Sequence, residues 1–443
     1  MRVRPTLVSR LVPVIAYAGL AVIASVAGAQ APDPLVSAID RQARAIAPRV
    51  IEWRHDIHQH PELSFQETRT AALVAAHLRR LGLEVRTGVG GNGVVGILTG
   101  AKPGPVVALR ADMDALPVAE LVDVPFKSTV RTVYNGVETG VMHACGHDMH
   151  VAILMGTAEV LAGMRAELAG TVKFIFQPAE EGAPGGGAGP MIRAGVLETP
   201  TVDAILALHV GPGPLGSVDY SVGPRQASGD NFRIVVRGKQ THGAMPSSGI
   251  DPLVVGAQIL LGVQTIVSRQ VDLTEAPLVV TVGAFHGGLR ENIIPDTAVM
   301  IGTIRALSPE VRREAHARLR RTATNIAEAS GATAEVTIID GYPVTVNDTA
   351  LAGFLVPVLQ RTVGAARVAL AKPSMPSEDF SRFQERVPGV MFGLGVTPPS
   401  LDWRTAANNH SPLFQADDAA LEIGVRLMSQ AAAEYLRSGR PRM

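Results

Sequence analysis

The chain has 443 residues, of which 47% are hydrophobic and 18% charged, so it can bury two domain-sized cores and is too apolar to be disordered. Forty basic residues balance forty acidic ones, so bulk electrostatics select neither nucleic acid nor an anionic membrane surface, and small molecules are the expected partners. A single cysteine excludes an internal disulfide.

Residues 1–30 read as a signal peptide. Arg2, Arg4 and Arg10 precede an apolar run from Leu11 to Ala29 that ends in Ala27-Gly28-Ala29. Export to the periplasm or the medium is expected, although the run is also long enough for an uncleaved anchor. In an oxidising compartment a lone Cys145 is expected to be either inert or ligated.

From Pro34 to Leu81 the pattern is helical. His55, His58 and His60 fall inside it, but Pro61 interrupts the helix and no carboxylate stands at a matching turn. These histidines are therefore read as packing or as support around a site. Short apolar runs follow at Pro105 to Leu109, Thr171 to Phe176 and Ala204 to Leu208, separated by helix-length segments such as Val151 to Leu168. This alternation predicts an α/β fold with a largely parallel sheet. Each run leads into reactive residues: Arg110, Asp112 and Asp114, then Glu180 and Glu181, then His209. Ligands of such sheets lie beyond the carboxyl ends of the strands.

Between the first two runs stands MHACGHDMH. Cys145 and His147 offer a thiolate and an imidazole one residue apart, the donor types zinc prefers. Taken alone, the stretch has two readings: a metal site, or a small buried cysteine whose neighbouring histidines cap the next helix.

At about Gly223 the pattern changes to strand (Phe232 to Arg237), helix (Pro252 to Arg269), two strands (Leu278 to Phe285, Ala298 to Ile304), helix, and strand (Ala334 to Ile339). That β-α-β-β-α-β order is ferredoxin-like. Ser308 and Pro309 open its second helix, which ends at Gly331. The arginines at 312, 313, 318, 320 and 321 share that helix with Glu310, Glu314 and Glu328, which predicts a solvated face rather than a nucleic-acid surface. After Pro343 the α/β pattern resumes, with a strand at Val390 to Leu394 and a loop at Asn409-His410-Ser411-Pro412. Residues 34–223 and 342–443 are thus expected to form one catalytic domain, with 224–341 inserted as a second module.

The residues delivered to the sheet edge are Cys145, His147, Glu181, His209 and His410, with Glu180 beside them. Five mixed donors exceed the needs of one tetrahedral zinc and fit two metals sharing a bridge. In an extended segment Glu180 and Glu181 would diverge, one binding metal while its neighbour serves as general base.

The combination RADMDALP, MHACGHDMH, QPAEEG, ALHV, THGAMP, IIPD, SEDF and NHSP resembles the aminoacylase and carboxypeptidase-G-like metallohydrolases. Within them it looks like the amidohydrolase branch that includes hippurate hydrolases and the plant hydrolases of indole-acetyl amino acids. The resemblance implies two divalent ions, zinc first, with manganese, cobalt or nickel as alternatives, held by Cys145, His147, Glu181, His209 and His410. It implies Glu180 as general base and Asp112, Asp114 and Asp148 as groups orienting the ligands. The inserted module would be a lid and dimerisation domain. Its His242 would reach an active site, in dimeric relatives that of the partner subunit, to stabilise the oxyanion. Asn292 and Arg305 would bind a substrate carboxylate, and the chain would form a homodimer or higher homo-oligomer through this module. Two positions depart from the pattern. Asn409 replaces an apolar residue before His410, and Gly243 replaces an alanine after His242, where it is expected to loosen the lid loop.

The expected function is hydrolysis of the amide bond of N-acyl amino acids by a metal-activated water. A dipeptidase or carboxypeptidase using the same centre is the alternative among enzymes. An exported binding protein with a vestigial site is the alternative outside them.

Overall fold

The computed structural model describes residues 33–182, 185–274 and 276–439, so the expected signal segment lies outside the described residues. Asp33 caps the first helix, Pro34–Gln59, by accepting from the Leu35 amide at 2.9 Å, and Pro34 supplies the φ of a first helical turn. The helix stops at the residue before His60-Pro61, and a second helix occupies Thr68–Arg80.

Eight strands form the main sheet. In spatial order they are Glu84–Val89, Gly93–Thr99, Ala169–Gln177, Lys102–Asp112, Ala204–Pro214, Gly389–Thr397, Val218–Tyr220 and Val368–Leu370. The four long central strands, from Ala169–Gln177 to Gly389–Thr397, run parallel. Parallel neighbours need a crossover, and the helix His147–Gly163 provides it between Lys102–Asp112 and Ala169–Gln177. That helix is buried almost all round, wedged against Pro34–Gln59 and the C-terminal helix Ala419–Ser438. Register then sets the site. Asp112 pairs with Gln177, and His209 pairs with Gly393, so reactive residues from separate strands finish at one edge.

A second core belongs to the segment between Gly229 and Tyr342. Strands Leu278–Gly287, Thr297–Ala306, Gly229–Arg237 and Thr333–Tyr342 form an antiparallel sheet in that order, and helices Pro252–Gln270 and Pro309–Ala329 pack on it. Phe232, Ile234 and Val236 alternate inward along their strand into this core, as the two-residue period of a half-buried sheet requires. Ser308 caps the second helix through the amides of Glu310 and Val311. Two of its arginines pair along the helix, Arg313 to Glu310 and Arg318 to Glu314. A short ribbon, Thr241–His242 against Ile293–Ile294, completes the module.

Candidate metal centre

The Cys-Gly-His spacing has a steric cause. Gly146 sits at φ 86°, and a Cβ there would lie 2.4 Å from Val210 Cγ2, so the turn into the helix His147–Gly163 admits glycine alone. Through it Cys145 and His147 share a site with His209: one donor atom from each lies within 4.8 Å of the others. Cys145, Glu181 and His410 form a second such group. Cys145 is the donor common to both.

The imidazoles are oriented by their other nitrogens. His147 donates from Nδ1 to the Asp114 carbonyl at 2.8 Å, and His209 from Nδ1 to the Val210 carbonyl at 2.8 Å. Each Nε2 is left as a lone pair facing the cluster. The Nε2 of His147 is buried with no hydrogen-bond partner, and that of His209 lies 3.6 Å from Cys145 Sγ. An orphaned buried imidazole nitrogen beside a thiol, a carboxylate and two further imidazoles is the chemistry of a divalent-ion site. His410 reaches it from the exposed loop at φ 69°, its Nε2 at 2.8 Å from Glu181 Oε1.

Glu180 and Glu181 do not diverge as an extended pair would. Ala179 adopts φ 55° and the chain turns at 180–181, so both carboxylates come within 4.8 Å of a nitrogen of His147. Asp114 holds the turn: its Oδ1 accepts from the Glu180 amide at 3.0 Å and its Oδ2 from the Glu181 amide at 2.9 Å, with Ser64 Oγ donating to the same Oδ2 at 2.6 Å.

Charge accumulates behind the site. Arg110 is buried and donates to Asp112, Glu378, Asp379 and Gln177. One guanidinium does not balance this set. Burial, then Glu378, Glu181 and Asp379, push the Glu180 carboxyl well above its usual range, and burial with Glu378 raises Asp379 to about 8 against the pull of Arg110. Divalent cations would relieve that surplus. His209 is held well below its usual value by burial and by His150, which keeps its lone pair free. Burial works against protonation of His147, but Asp112 and Cys145 outweigh it and hold the imidazole well above its usual value.

Several residues have partners their sequence context does not disclose. Asp148, expected to orient a ligand, turns instead to Arg54 Nε at 3.1 Å and His58 Nδ1 at 2.9 Å, away from the ligand cluster. His150, to which the sequence assigns no role, lies one turn below His147. It accepts from the Val210 amide at 2.8 Å and presents Nδ1 to Asp112 Oδ1 at 2.5 Å. It thereby links the strand carrying His209 to the strand carrying Asp112. The i, i+3 spacing from His147 is the signal that could have found it.

A cavity of about 370 Å³ opens onto Cys145, Glu180, Glu181, His209 and His410. Arg305 approaches through its rim, donating to Ser377 Oγ at 2.7 Å. His242 and Asn292 lie elsewhere, exposed on the short ribbon and outside the lining of this cavity. At Gly243 the ribbon is close-packed: its amide donates to the Asn292 carbonyl at 2.8 Å, and a Cβ would stand 3.1 Å from that backbone. Asn409 ties the metal-site loops together, donating to the carbonyls of Cys145 at 2.9 Å and Val210 at 3.2 Å. A further acid–histidine group, Asp230, His316 and Asp340, already holds the Arg312 guanidinium, which supplies its positive charge.

Residues 108–434 match the family described as Peptidase family M20/M25/M40. A thermostable carboxypeptidase 2 from Saccharolobus solfataricus is 42% identical over 404 residues, covering 90% of this chain and 99% of its own. An N-acetylcysteine deacetylase from Bacillus subtilis is 37% identical, covering 89% and 99%. The crystal structure of a dinuclear metal-binding M20 peptidase from Bacillus subtilis superposes with a TM-score of 0.74 at 35% identity, over 89% of this chain and 99% of that one. With its parallel sheet, its inserted module and its five-donor edge, the chain belongs to peptidase family M20/M25/M40, as a metal-dependent hydrolase of the amidohydrolase branch.

Proposed function

We propose that the protein hydrolyses the amide bond of N-acyl amino acids, releasing a carboxylic acid and an amino acid. The observation that carries this reading is the pairing of a five-donor cluster with a separate buried carboxylate, Glu180, at the edge of one cavity. Cys145, His147, Glu181, His209 and His410 would hold two divalent ions. Zinc is favoured by the thiolate, with manganese, cobalt or nickel as alternatives, and such ions polarise a carbonyl and acidify a water. Glu180 takes the proton of the attacking water and returns it to the nitrogen of the leaving amine. Asp114 keeps Glu180 aimed by holding its amide. Arg305 receives the substrate carboxylate from the rim at Ser377, where a guanidinium fork suits a carboxylate.

His242 and Asn292 serve a second copy in this reading. Their exposure on a ribbon outside the cavity lining supports a homodimer formed through the inserted module, in which His242 steadies the developing oxyanion. Export is the accompanying proposal, resting on Arg2, Arg4, Arg10 and the apolar run to Ala29, and mass spectrometry of the mature chain would detect cleavage near residue 30.

Glu180→Gln should keep both metals and lose nearly all turnover. Retention of more than a few per cent of wild-type activity would remove Glu180 from the role of base. A panel of N-acetyl-methionine, hippurate and unblocked dipeptides, run with each metal in turn, separates the N-acyl reading from the peptidase reading that the carboxypeptidase relative favours. Exclusive turnover of the dipeptides would decide for the latter.

A further inference from the structure

The chain crosses between its two modules at residues 228–230 and again at 341–343, and the crossings touch. Gly229 pairs with Tyr342, and a Cβ on Gly341 would fall 1.7 Å from the Gly229 carbonyl oxygen, so the backbones pass in direct contact. Asp230 knots them. Its carboxylate accepts from the Gly341 amide at 2.9 Å and from Arg312 at 2.8 and 2.5 Å, with His316 Nε2 also at 2.8 Å. From the catalytic side Arg382 donates to the Gly341 carbonyl at 2.7 Å.

Tyr342 leaves this knot and enters the catalytic domain, where its buried hydroxyl donates to the Glu180 carbonyl at 2.6 Å. Gly186 also lies close to it, for a Cβ there would stand 2.9 Å from that hydroxyl. Glu180 depends on such outside support. The preceding Ala179 sits at φ 55°, in the left-handed region that an L residue adopts only under constraint, so the turn is imposed by its surroundings. Glu67 Oε1 accepts from the Ala179 amide at 2.7 Å, and Asp114 accepts from the Glu180 amide. On the carbonyl side the hydroxyl of Tyr342 does the holding. Burial, with Asp379, Glu180 and Glu378 around it, keeps that hydroxyl protonated and therefore a donor.

We propose that Tyr342 is a positioning residue, fixing the Glu180 peptide through its hydroxyl and so tying the general base to the orientation of the inserted module. The inference rests on the assignment of Glu180 as base. A rotation of the module about the Asp230 knot carries Tyr342 with it, and the base is aligned only in the orientation that keeps this hydrogen bond.

The test uses the full-length, metal-loaded enzyme, assayed on whichever member of the substrate panel it turns over fastest. Tyr342→Phe keeps the ring and removes only the hydroxyl. It should lower kcat about 10- to 100-fold, the scale of a misplaced reacting group, while KM stays within about twofold and metal content is unchanged. Added to Glu180→Gln, the same change should slow the residual reaction by less than about twofold, because the group it positions is already gone. A Tyr342→Phe enzyme with wild-type kcat overturns the proposal, as does one whose loss is explained by lost metal, by raised KM or by an equal further loss in the double variant. If instead Glu180→Gln alone stays active, the base assignment falls and this inference with it. A dead Glu180→Gln beside an unaffected Tyr342→Phe overturns the positioning role alone.

Discussion

Asp114 and His147 are joined through the backbone of one and the ring of the other: His147 Nδ1 donates to the Asp114 carbonyl at 2.8 Å while the Asp114 carboxylate accepts the amides of Glu180 and Glu181. A single residue at the end of a strand therefore aims one ligand imidazole and sets the turn that carries another ligand and the proposed base. Replacing it with asparagine keeps the carbonyl contact to His147 but sets an amide group against a cluster of N–H donors. Asp114→Asn should weaken metal binding about 10- to 100-fold, the range found when groups behind a ligand are altered, and lower kcat with it. Chelator competition and steady-state kinetics read the two effects. Unchanged metal affinity together with unchanged kcat would show that the turn holds without the carboxylate.

That arrangement also marks what was legible in the sequence. The strand runs, the inserted β-α-β-β-α-β module and the five donors are each coded locally, by two-residue alternation, by caps such as Ser308 and by compact motifs, and the structure brings those five donors to one edge. Rotational phase at the start of a helix is not coded so plainly. Asp148 follows His147 by one position, about 100° around the helix, and so faces Arg54 and His58, whereas His150 returns to the ligand side. The Glu180–Glu181 turn was hidden for a related reason: a positive φ at Ala179 is maintained by distant groups at 67, 114 and 342, none of them a sequence neighbour. Where His242 and Asn292 lie depends on the orientation of a whole module, which local pattern does not record.

His58 offers a pH test away from the ligands. Its two nitrogens face Asp148 Oδ2 at 2.9 Å and Glu120 Oε1 at 3.1 Å, with Arg54 also close by. Burial works against the imidazolium and Arg54 opposes it, but the carboxylates prevail and raise it from 6.5 to about 9. A folded-state value above the unfolded one means the folded protein binds the extra proton. The stabilisation is complete below pH 6.5 and is lost as pH rises through about 9. The stability gap between wild type and His58→Gln should therefore be widest near pH 6 and narrow by a few kcal/mol on approaching pH 9.5, measured by denaturant unfolding of the metal-loaded proteins. A gap that is flat across that range would mean His58 is neutral in the folded protein.

The last prediction concerns His242, which this chain carries on an exposed ribbon outside the lining of its own cavity. If His242 acts in a partner's site, each active centre needs Glu180 from one subunit and His242 from the other. Glu180→Gln and His242→Ala homodimers should each be nearly inactive. When the two are mixed and allowed to exchange subunits, half of the dimers become hybrids, and each hybrid holds one centre with both groups intact. Activity should then rise to roughly a quarter of wild type, a gain that follows from two-fold symmetry alone. Light scattering on the same samples checks that they are dimers. No recovery after verified exchange would mean that His242 serves its own subunit, which would require the inserted module to swing its ribbon toward the Cys145–His410 edge, while substantial activity of His242→Ala by itself would remove the residue from the oxyanion role.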